Sequence, residues 1–259
     1  MASVRSFLVR GLLAGLVAGL LAFGVAYVVG EPSVRAAIAL ESADSASSHP
    51  TGDAGEHHHD DAVVPRSLQE TAGLLSATVA TGVTLGGLVG VLGALALGRF
   101  GRLGVRASTL LVAAVGFVGL YAVPFAAYPP SPPAVGQAET IGLRTGLYFL
   151  LVAISVIGAV TAVLVGRRLA DRWGAWYAGL AAVAGYLGVM AVAVALLPGF
   201  DEVPDAFPAS LLYQFRIASF LTQLTLWSAL GVSLAELGHR LTRRTAVPAA
   251  ADRLTGAGV

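Results

Sequence analysis

The sequence predicts an all-α, polytopic membrane protein with about six transmembrane helices. The first observation is composition: of 259 residues, 56% are hydrophobic and only 12% are charged, whereas soluble domains carry about 25% charged residues. The second is a series of apolar runs long enough to span a bilayer. The third is an uneven distribution of arginine along the chain. The net charge of +1 gives no electrostatic basis for nucleic-acid binding, and the lack of cysteine excludes disulfides and thiolate metal sites.

The first apolar run covers residues 7–29 and is interrupted only by Arg10. A helix rises about 1.5 Å per residue, so roughly 20 residues cross the hydrocarbon core of a bilayer. The alternative is a cleaved signal peptide, whose apolar part would be about 7–15 residues long. Because this run is longer, we expect a retained span, which Glu31-Pro32 should end.

A polar segment follows at residues 30–69 and is rich in serine, aspartate, histidine and glycine. Such a composition cannot bury a hydrophobic core, so we predict a long loop that is largely disordered without a ligand.

Five more apolar runs complete the six predicted spans. They cover residues 71–97, 107–127, 145–166, 174–197 and 212–237. A proline-rich segment at 128–133 predicts a stiff extended loop, because proline is excluded from helix interiors. An acidic, proline-containing segment at 198–208 predicts a second loop. Together these runs make residues 1–259 one transmembrane domain.

The arginines give an independent test of this topology. With the N-terminus inside, twelve arginines lie in the predicted cytoplasmic segments. The other four, on the opposite side, are Arg35, Arg66, Arg144 and Arg216. Positive charge is enriched on the cytoplasmic side of membrane proteins. We therefore expect a multi-pass cell-membrane protein with both termini cytoplasmic and residues 30–69 extracytoplasmic. All sixteen basic residues are arginine, which together with the many alanines, glycines and valines indicates a GC-rich prokaryotic genome.

Glycines recur at four-residue spacing in the first two runs. One set is Gly11, Gly15 and Gly19, and the other is Gly82, Gly86 and Gly90. Faces of this kind let two helix backbones approach closely in a bilayer. We expect helix packing here, with a ligand pathway along these faces as the alternative.

The long loop contains the only dense cluster of metal-ligating side chains in the sequence. We call residues 49–61 the His/acid stretch. Its candidate metal ligands are His49, Glu56, His57, His58, His59, Asp60 and Asp61. Imidazole and carboxylate groups suit Co, Ni, Zn or Cu ions but do not select among them. Binding should weaken at low pH, because histidine must be unprotonated. A soluble linker or an expression tag is the alternative interpretation.

Polar residues in the last run suggest an ion path. Arg216, Ser219, Thr222 and Gln223 follow helical spacing, and Thr78 and Thr81 of the second run could oppose them. Glu70 and Glu139 lie near the predicted outer boundary, where they could relay a cation inward. The alternatives are hydrogen bonds between helices for the polar face and simple interfacial placement for the carboxylates. The middle of each span lacks a carboxylate, which argues against a proton-driven pump.

Several reaction classes lack support in the sequence. A Gly-x-x-x-x-Gly-Lys-Ser/Thr motif, a His-Glu-x-x-His motif and a Gly-x-Ser-x-Gly motif are all missing. We therefore expect neither an ATPase nor a common hydrolase, no enzyme activity and no tightly bound cofactor.

Four stretches in order give the chain a resemblance to a known family. The first is residues 11–21 (Gly-Leu-Leu-Ala-Gly-Leu-Val-Ala-Gly-Leu-Leu), and the second is the His/acid stretch leading into residues 66–71 (Arg-Ser-Leu-Gln-Glu-Thr). The third is residues 123–148, which contain Val-Pro-Phe, Pro-Pro-Ser-Pro-Pro and Arg-Thr-Gly-Leu-Tyr. The fourth is residues 203–227, which run from Val-Pro-Asp through Phe-Arg-Ile-Ala-Ser-Phe-Leu-Thr-Gln to Trp227. In this order and spacing the chain resembles the CbtA-type predicted cobalt transporter subunits.

The resemblance implies entry of Co²⁺, linked to cobalamin synthesis. It also implies a small partner of the CbtB type, with one span and its own histidine motif. The family is described with five spans, whereas the charge pattern favours six. A non-transporting membrane scaffold or metal-sensing subunit is the alternative function, and self-association of the chain stays open.

Overall fold

The structure is a computed structural model that describes residues 4–48, 68–99, 103–137 and 139–255, with the side chains of 44–48, 69 and 244–255 left aside. The described residues contain helices and no strand. The α-helices are α1 (Val4–Val25), α2 (Glu31–Ser48), α3 (Leu74–Ala96), α4 (Val105–Phe117), α5 (Val123–Ala127), α6 (Ile141–Leu196) and α7 (Ala209–Thr255). Three π-helical turns cover Ala26–Gly30, Gln69–Gly73 and Val118–Ala122. The all-α prediction is confirmed.

The first helix does not end at Glu31-Pro32, and this prediction was wrong. Helix α1 passes through the π-helical turn Ala26–Gly30 directly into α2, which continues to Ser48. Proline is compatible with the first turn of a helix, where its missing N–H costs no bond. The Glu31 N–H donates to the Ala26 carbonyl, and the Ser33 hydroxyl donates to the Gly30 carbonyl at 2.7 Å. Residues 31–48 of the predicted loop are therefore helical.

Five helical segments are long and apolar enough to cross a membrane, by length and composition, within the described part of the chain. They are Val4–Ala43, Glu70–Ala96, Val105–Ala127, Ile141–Leu196 and Ala209–Arg243. The fourth contains 56 residues, far more than the roughly 20 that one crossing needs. It is interrupted at Gly174, whose φ of 77° and ψ of 158° are not helical. One long segment thus accounts for two of the six apolar runs in the sequence.

The two arms of α6 lie against each other as a hairpin. The hydroxyls of Ser155 and Tyr186 are 2.7 Å apart and buried. A Cβ on Gly166 would lie 3.0 Å from the Ala182 side chain. Leu151 and Met190 are buried in the same cluster as Tyr186. Contacts between residues before and after Gly174 mean that the chain reverses direction there.

The described chain divides into two compact units, of which the first comprises residues 1–24, 75–117 and 223–259. Its α1 and α3 meet through glycine. A Cβ on Gly19 would lie 2.7 Å from the Thr78 carbonyl oxygen, and one on Gly86 would lie 2.7 Å from the Gly15 Cα. Real Cβ atoms do not come this close, so the packing depends on the missing side chains. The glycine faces are a helix-packing interface, as expected.

Larger side chains fill the rest of the first unit. The Trp227 ring occupies the space beside Gly116, where a Cβ would lie 2.6 Å from it. The Phe7 ring lies beside Gly238. Arg106 of α4 and Glu236 of α7 form an ion pair at 2.6 Å. Each of these contacts joins helices that are distant in sequence.

The second unit comprises residues 25–74 and 118–222. Its core is the α6 hairpin around Leu151, with residues of the α5 region packed against it. Two loops, residues 128–140 and 197–208, connect its helices. The Tyr128 hydroxyl donates to the Pro198 carbonyl at 2.8 Å, which joins the two loops. Glu202, which pairs with Arg144 of α6, lies in the second of these loops.

Candidate functional site

The candidate metal ligands His49 and Glu56–Asp61 lie outside the described residues. Among the described residues, no group of three or more histidine, aspartate or glutamate side chains is placed to hold a metal ion.

Arg35 and Glu70 connect the two ends of the segment that contains the His/acid stretch. Arg35 Nε lies 2.9 Å from Glu70 Oε1, and Arg35 Nη2 lies 3.0 Å from Glu70 Oε2. This two-bond geometry between guanidinium and carboxylate is strong and directional. Glu70, a predicted relay residue, is thus engaged by an arginine, and a cation would have to compete with Arg35 for it.

Three residues of the predicted path belong to the first unit. The Thr78 hydroxyl donates to the Leu75 carbonyl at 3.1 Å, within its own helix. Thr81 is exposed and Gln223 is half-buried. The structure places neither Thr81 nor Gln223 in an arrangement that would bind a ligand.

The hydroxyls of the last helix bond within that helix. Ser219 donates to the Phe215 carbonyl at 2.9 Å, and Thr222 donates to the Ala218 carbonyl at 2.8 Å. These i to i−4 bonds satisfy the donors locally. The hydrogen bonds that these two hydroxyls donate therefore lie within one helix and not between helices. The hydroxyl oxygens keep lone pairs that could still accept or coordinate.

Arg216 opens onto a cavity of about 360 Å³ in the second unit. We call it the arginine cavity. It is lined by Tyr121, Phe125, Ala127, Tyr128, Pro129, Pro130, Ser131, Val135, Ile141, Arg144, Thr145, Tyr148, Phe200, Glu202, Val203 and Arg216. Aromatic, proline and aliphatic side chains make up most of its walls, with three charged side chains among them. This mixture of apolar walls and a few polar groups is typical of ligand pockets.

Arg144 and Glu202 form an ion pair in the wall of this cavity. Arg144 Nη1 lies 2.7 Å from Glu202 Oε2, and the two side chains are 28% and 10% exposed. The backbone N–H of Gln137 donates to the same oxygen at 3.0 Å. Hydrogen bonding from the Thr140 side chain and from Gln137, together with the Arg144 charge, lowers the pKa of Glu202. The carboxylate is therefore ionised and fully engaged near neutral pH.

Gly136 permits this ion pair. Its φ of 118° is one that residues with a side chain rarely adopt. A Cβ at this position would lie 2.6 Å from Arg144 Nη1. The backbone conformation therefore favours glycine, and a side chain here would displace the Arg144 guanidinium from its present position.

Arg216 differs from Arg144 in its partners. Its Nε is buried, and none of the described residues accepts a hydrogen bond from it. Glu139, the other predicted relay residue of this region, is exposed in the turn before α6. Arg216 therefore lines the same cavity as Arg144 and Glu202, whereas Glu139 does not line it.

Sequence reasoning missed the cavity and the Arg144–Glu202 pair. The two residues are 58 positions apart, with Arg144 in the first turn of α6 and Glu202 in the loop that follows α6. A usable signal did exist: two of the four arginines assigned to the outer side, Arg144 and Arg216, each follow a proline-rich loop.

No curated protein and no solved structure was found to be similar to the chain. One family model, described as "probable cobalt transporter subunit (CbtA)", matches residues 4–239. This match includes both compact units and nearly all of the apolar helices. The chain therefore belongs to the CbtA family of probable cobalt transporter subunits.

Proposed function

We propose that this chain is the membrane subunit of an uptake system for a divalent transition metal ion, with Co²⁺ for cobalamin synthesis as the first candidate. The observation that carries the proposal is the family match over residues 4–239. Five apolar helices with the length of membrane spans support it. The chain resides in the cell membrane with both termini cytoplasmic.

The His/acid stretch collects the ion outside the cell in this proposal. Its histidines and carboxylates are the group of metal ligands that the sequence offers, and they bind only when the imidazoles are neutral. Arg35 and Glu70 hold together the two ends of the segment that contains the stretch. The ion then passes to Glu70 and Glu139 and along a polar face that includes Thr222 and Gln223.

A partner subunit is part of the same proposal. The family description names a subunit, which implies a second component. We propose a small, single-span protein of the CbtB type with its own histidines. Such a partner could supply the ligands that the described helices of this chain lack.

A second function is favoured by one observation. The carboxylates of Glu70, Glu202 and Glu236 each bind an arginine, so the described helices offer a cation few free acidic ligands. This arrangement fits a membrane scaffold or metal-sensing subunit that binds metal through the His/acid stretch but conducts none.

Uptake of labelled Co²⁺ separates the two functions. The chain is expressed in a host deficient in cobalt transport, alone and with its small partner, and Ni²⁺ and Zn²⁺ are added as competitors. The proposal predicts uptake above the empty host that depends on the chain. If the purified chain binds metal but gives no uptake, whether it is expressed alone or with its partner, the scaffold or sensor is supported instead.

A variant then tests the role of the loop. Replacing His57, His58 and His59 by alanine should reduce uptake about tenfold at limiting Co²⁺, if these ligands contribute about 1.4 kcal/mol to capture. Uptake at saturating Co²⁺ should be unchanged, because transport is then independent of capture. Replacing His239, near the end of the matched region, by alanine is the control. Equal uptake by wild type and the triple variant at every concentration would remove the loop from the mechanism.

A further inference from the structure

We propose that the arginine cavity is a binding site for a small organic monocarboxylate, with Arg216 as its anchor. This inference does not depend on metal transport. It follows from the partners of the three charged side chains and from the chemistry of the cavity walls.

The first argument is the state of Arg216. A guanidinium carries its charge at every physiological pH and has five N–H donors. Its Nε is buried, and no acceptor among the described residues reaches it. Buried polar groups are nearly always hydrogen-bonded, so an unsatisfied one indicates a missing water, ion or ligand. A carboxylate is the natural complement, because its two oxygens match the guanidinium fork.

The second argument is the charge balance. The cavity is lined by two arginines and one glutamate. Glu202 is already bound by Arg144 at 2.7 Å, so its charge is compensated. One positive charge is left at Arg216, and a single negative charge on the ligand would neutralise it. The same balance disfavours a divalent cation, which the uncompensated arginine would repel.

The helices add to this preference for an anion. Ile141, Arg144 and Thr145 line the cavity from the first turns of α6. The N-terminal end of a helix carries a partial positive charge and favours anions. This contribution of the helix end adds to the preference for an anion, but the proposal of an anion site rests on Arg216.

The third argument is the size and the apolar character of the cavity. A volume of about 360 Å³ lies within the range of roughly 300–1,000 Å³ that is typical of small-molecule pockets. Chloride or acetate would fill only a small part of this space. The rings of Phe125, Tyr148 and Phe200 instead suit an apolar body attached to the carboxylate. A compact aromatic or branched acid fulfils both requirements.

Benzoate and benzamide test the proposal as a matched pair of probes. They have nearly the same shape, but only benzoate is charged. Their affinities for the full chain in lipid nanodiscs can be measured by calorimetry. Since hydrogen bonds to charged groups contribute about 1.5–3 kcal/mol, benzoate should bind about 10–100 times more tightly than benzamide. Equal affinity for both probes, or no binding of benzoate, would overturn the proposal.

Two variants locate the binding. Arg216→Gln should lower benzoate affinity by a similar factor and leave benzamide affinity unchanged. Arg240→Gln is the control on the same helix, because Arg240 is 69% exposed and does not line the cavity. If Arg216→Gln fails to fold, Val203→Trp replaces it: this loop substitution fills the cavity and retains Arg216. Benzoate binding that survives both substitutions would place the site elsewhere.

Competition by sodium chloride distinguishes a site for organic acids from a general anion site. We expect benzoate to bind at salt concentrations near 0.15 M, because the apolar walls contribute to its affinity but not to that of chloride. Complete displacement of benzoate by chloride at this concentration would identify a general anion site and would contradict a site for organic acids.

Discussion

The first compact unit is held by close backbone contact, whereas the second is held by side chains with polar groups. In the first unit, Gly15 and Gly86 allow α1 and α3 to approach until no Cβ would fit. In the second unit, Arg144, Glu202 and Tyr128 connect two loops around a cavity. The difference between the two units suggests that one is a rigid scaffold and the other carries the ligand chemistry.

The largest effect is expected in the glycine interface. Gly86→Val would force its side chain into the Gly11 carbonyl and the Gly15 Cα. Overpacking costs about 1–3 kcal/mol where side chains can yield, and here the backbone must move. We expect a large loss of folded protein and a lower midpoint of thermal unfolding in detergent.

Gly24→Val is the matched control for this prediction. Gly24 also lies in α1 and in the first unit, but a Cβ there would meet nothing within 4 Å. It should leave the unfolding midpoint close to that of the wild type. Since valine is a better helix former than glycine, helix propensity cannot cause a loss in either variant, and similar losses in both would contradict a role of the Gly86 contact.

A smaller effect is expected in the α6 hairpin. Tyr186→Phe removes the buried hydrogen bond to Ser155 and leaves the ring in place. The expected loss is about 1 kcal/mol in the free energy of unfolding. Tyr177→Phe provides the comparison, because Tyr177 is 67% exposed. An equal effect of both substitutions would contradict a structural role for the Ser155–Tyr186 bond.

A local effect is expected from Gly136→Ala. The added methyl group would collide with Arg144 Nη1 and separate it from Glu202. Amide hydrogen exchange should become faster in the loops around residues 128–137 and 197–208, while the glycine-packed helices stay protected. Gly199→Ala lies in the second of these loops with open space around it and should change nothing. Unchanged exchange in Gly136→Ala would show that the ion pair does not hold the loops.

The smallest effect is a dependence on pH. The pKa of Glu202 is lowered in the folded protein from its ordinary value of 4.5. Its contribution to stability is therefore complete above about pH 4.5 and is lost as the pH falls through the lowered pKa. Between pH 8 and pH 5.5 the exchange rates of the two loops, corrected for intrinsic chemistry, should be constant. Loosening of the loops in that range would contradict this account of Glu202.

The helices were predictable from the sequence because their signal is local. Apolar runs of membrane length and the spacing of Gly11, Gly15 and Gly19 depend on neighbouring residues only. The continuation of the helix through Pro32 was not predictable, because proline can end a helix but also fits the first turn of a new one, as in α2. The arginine cavity was hidden for another reason: Arg144 and Glu202 are 58 residues apart, and only the tertiary fold brings them together.

The division between scaffold and site is tested most directly by the rate of Co²⁺ uptake per folded molecule at limiting metal. Two variants are compared in the transport-deficient host, with the small partner present. Gly86→Ala should reduce the amount of folded protein but leave the rate per molecule unchanged, since the glycines serve packing. The triple replacement of His57, His58 and His59 by alanine should leave the amount unchanged and reduce the rate. A normal rate in the histidine variant together with a reduced rate in Gly86→Ala would contradict the account.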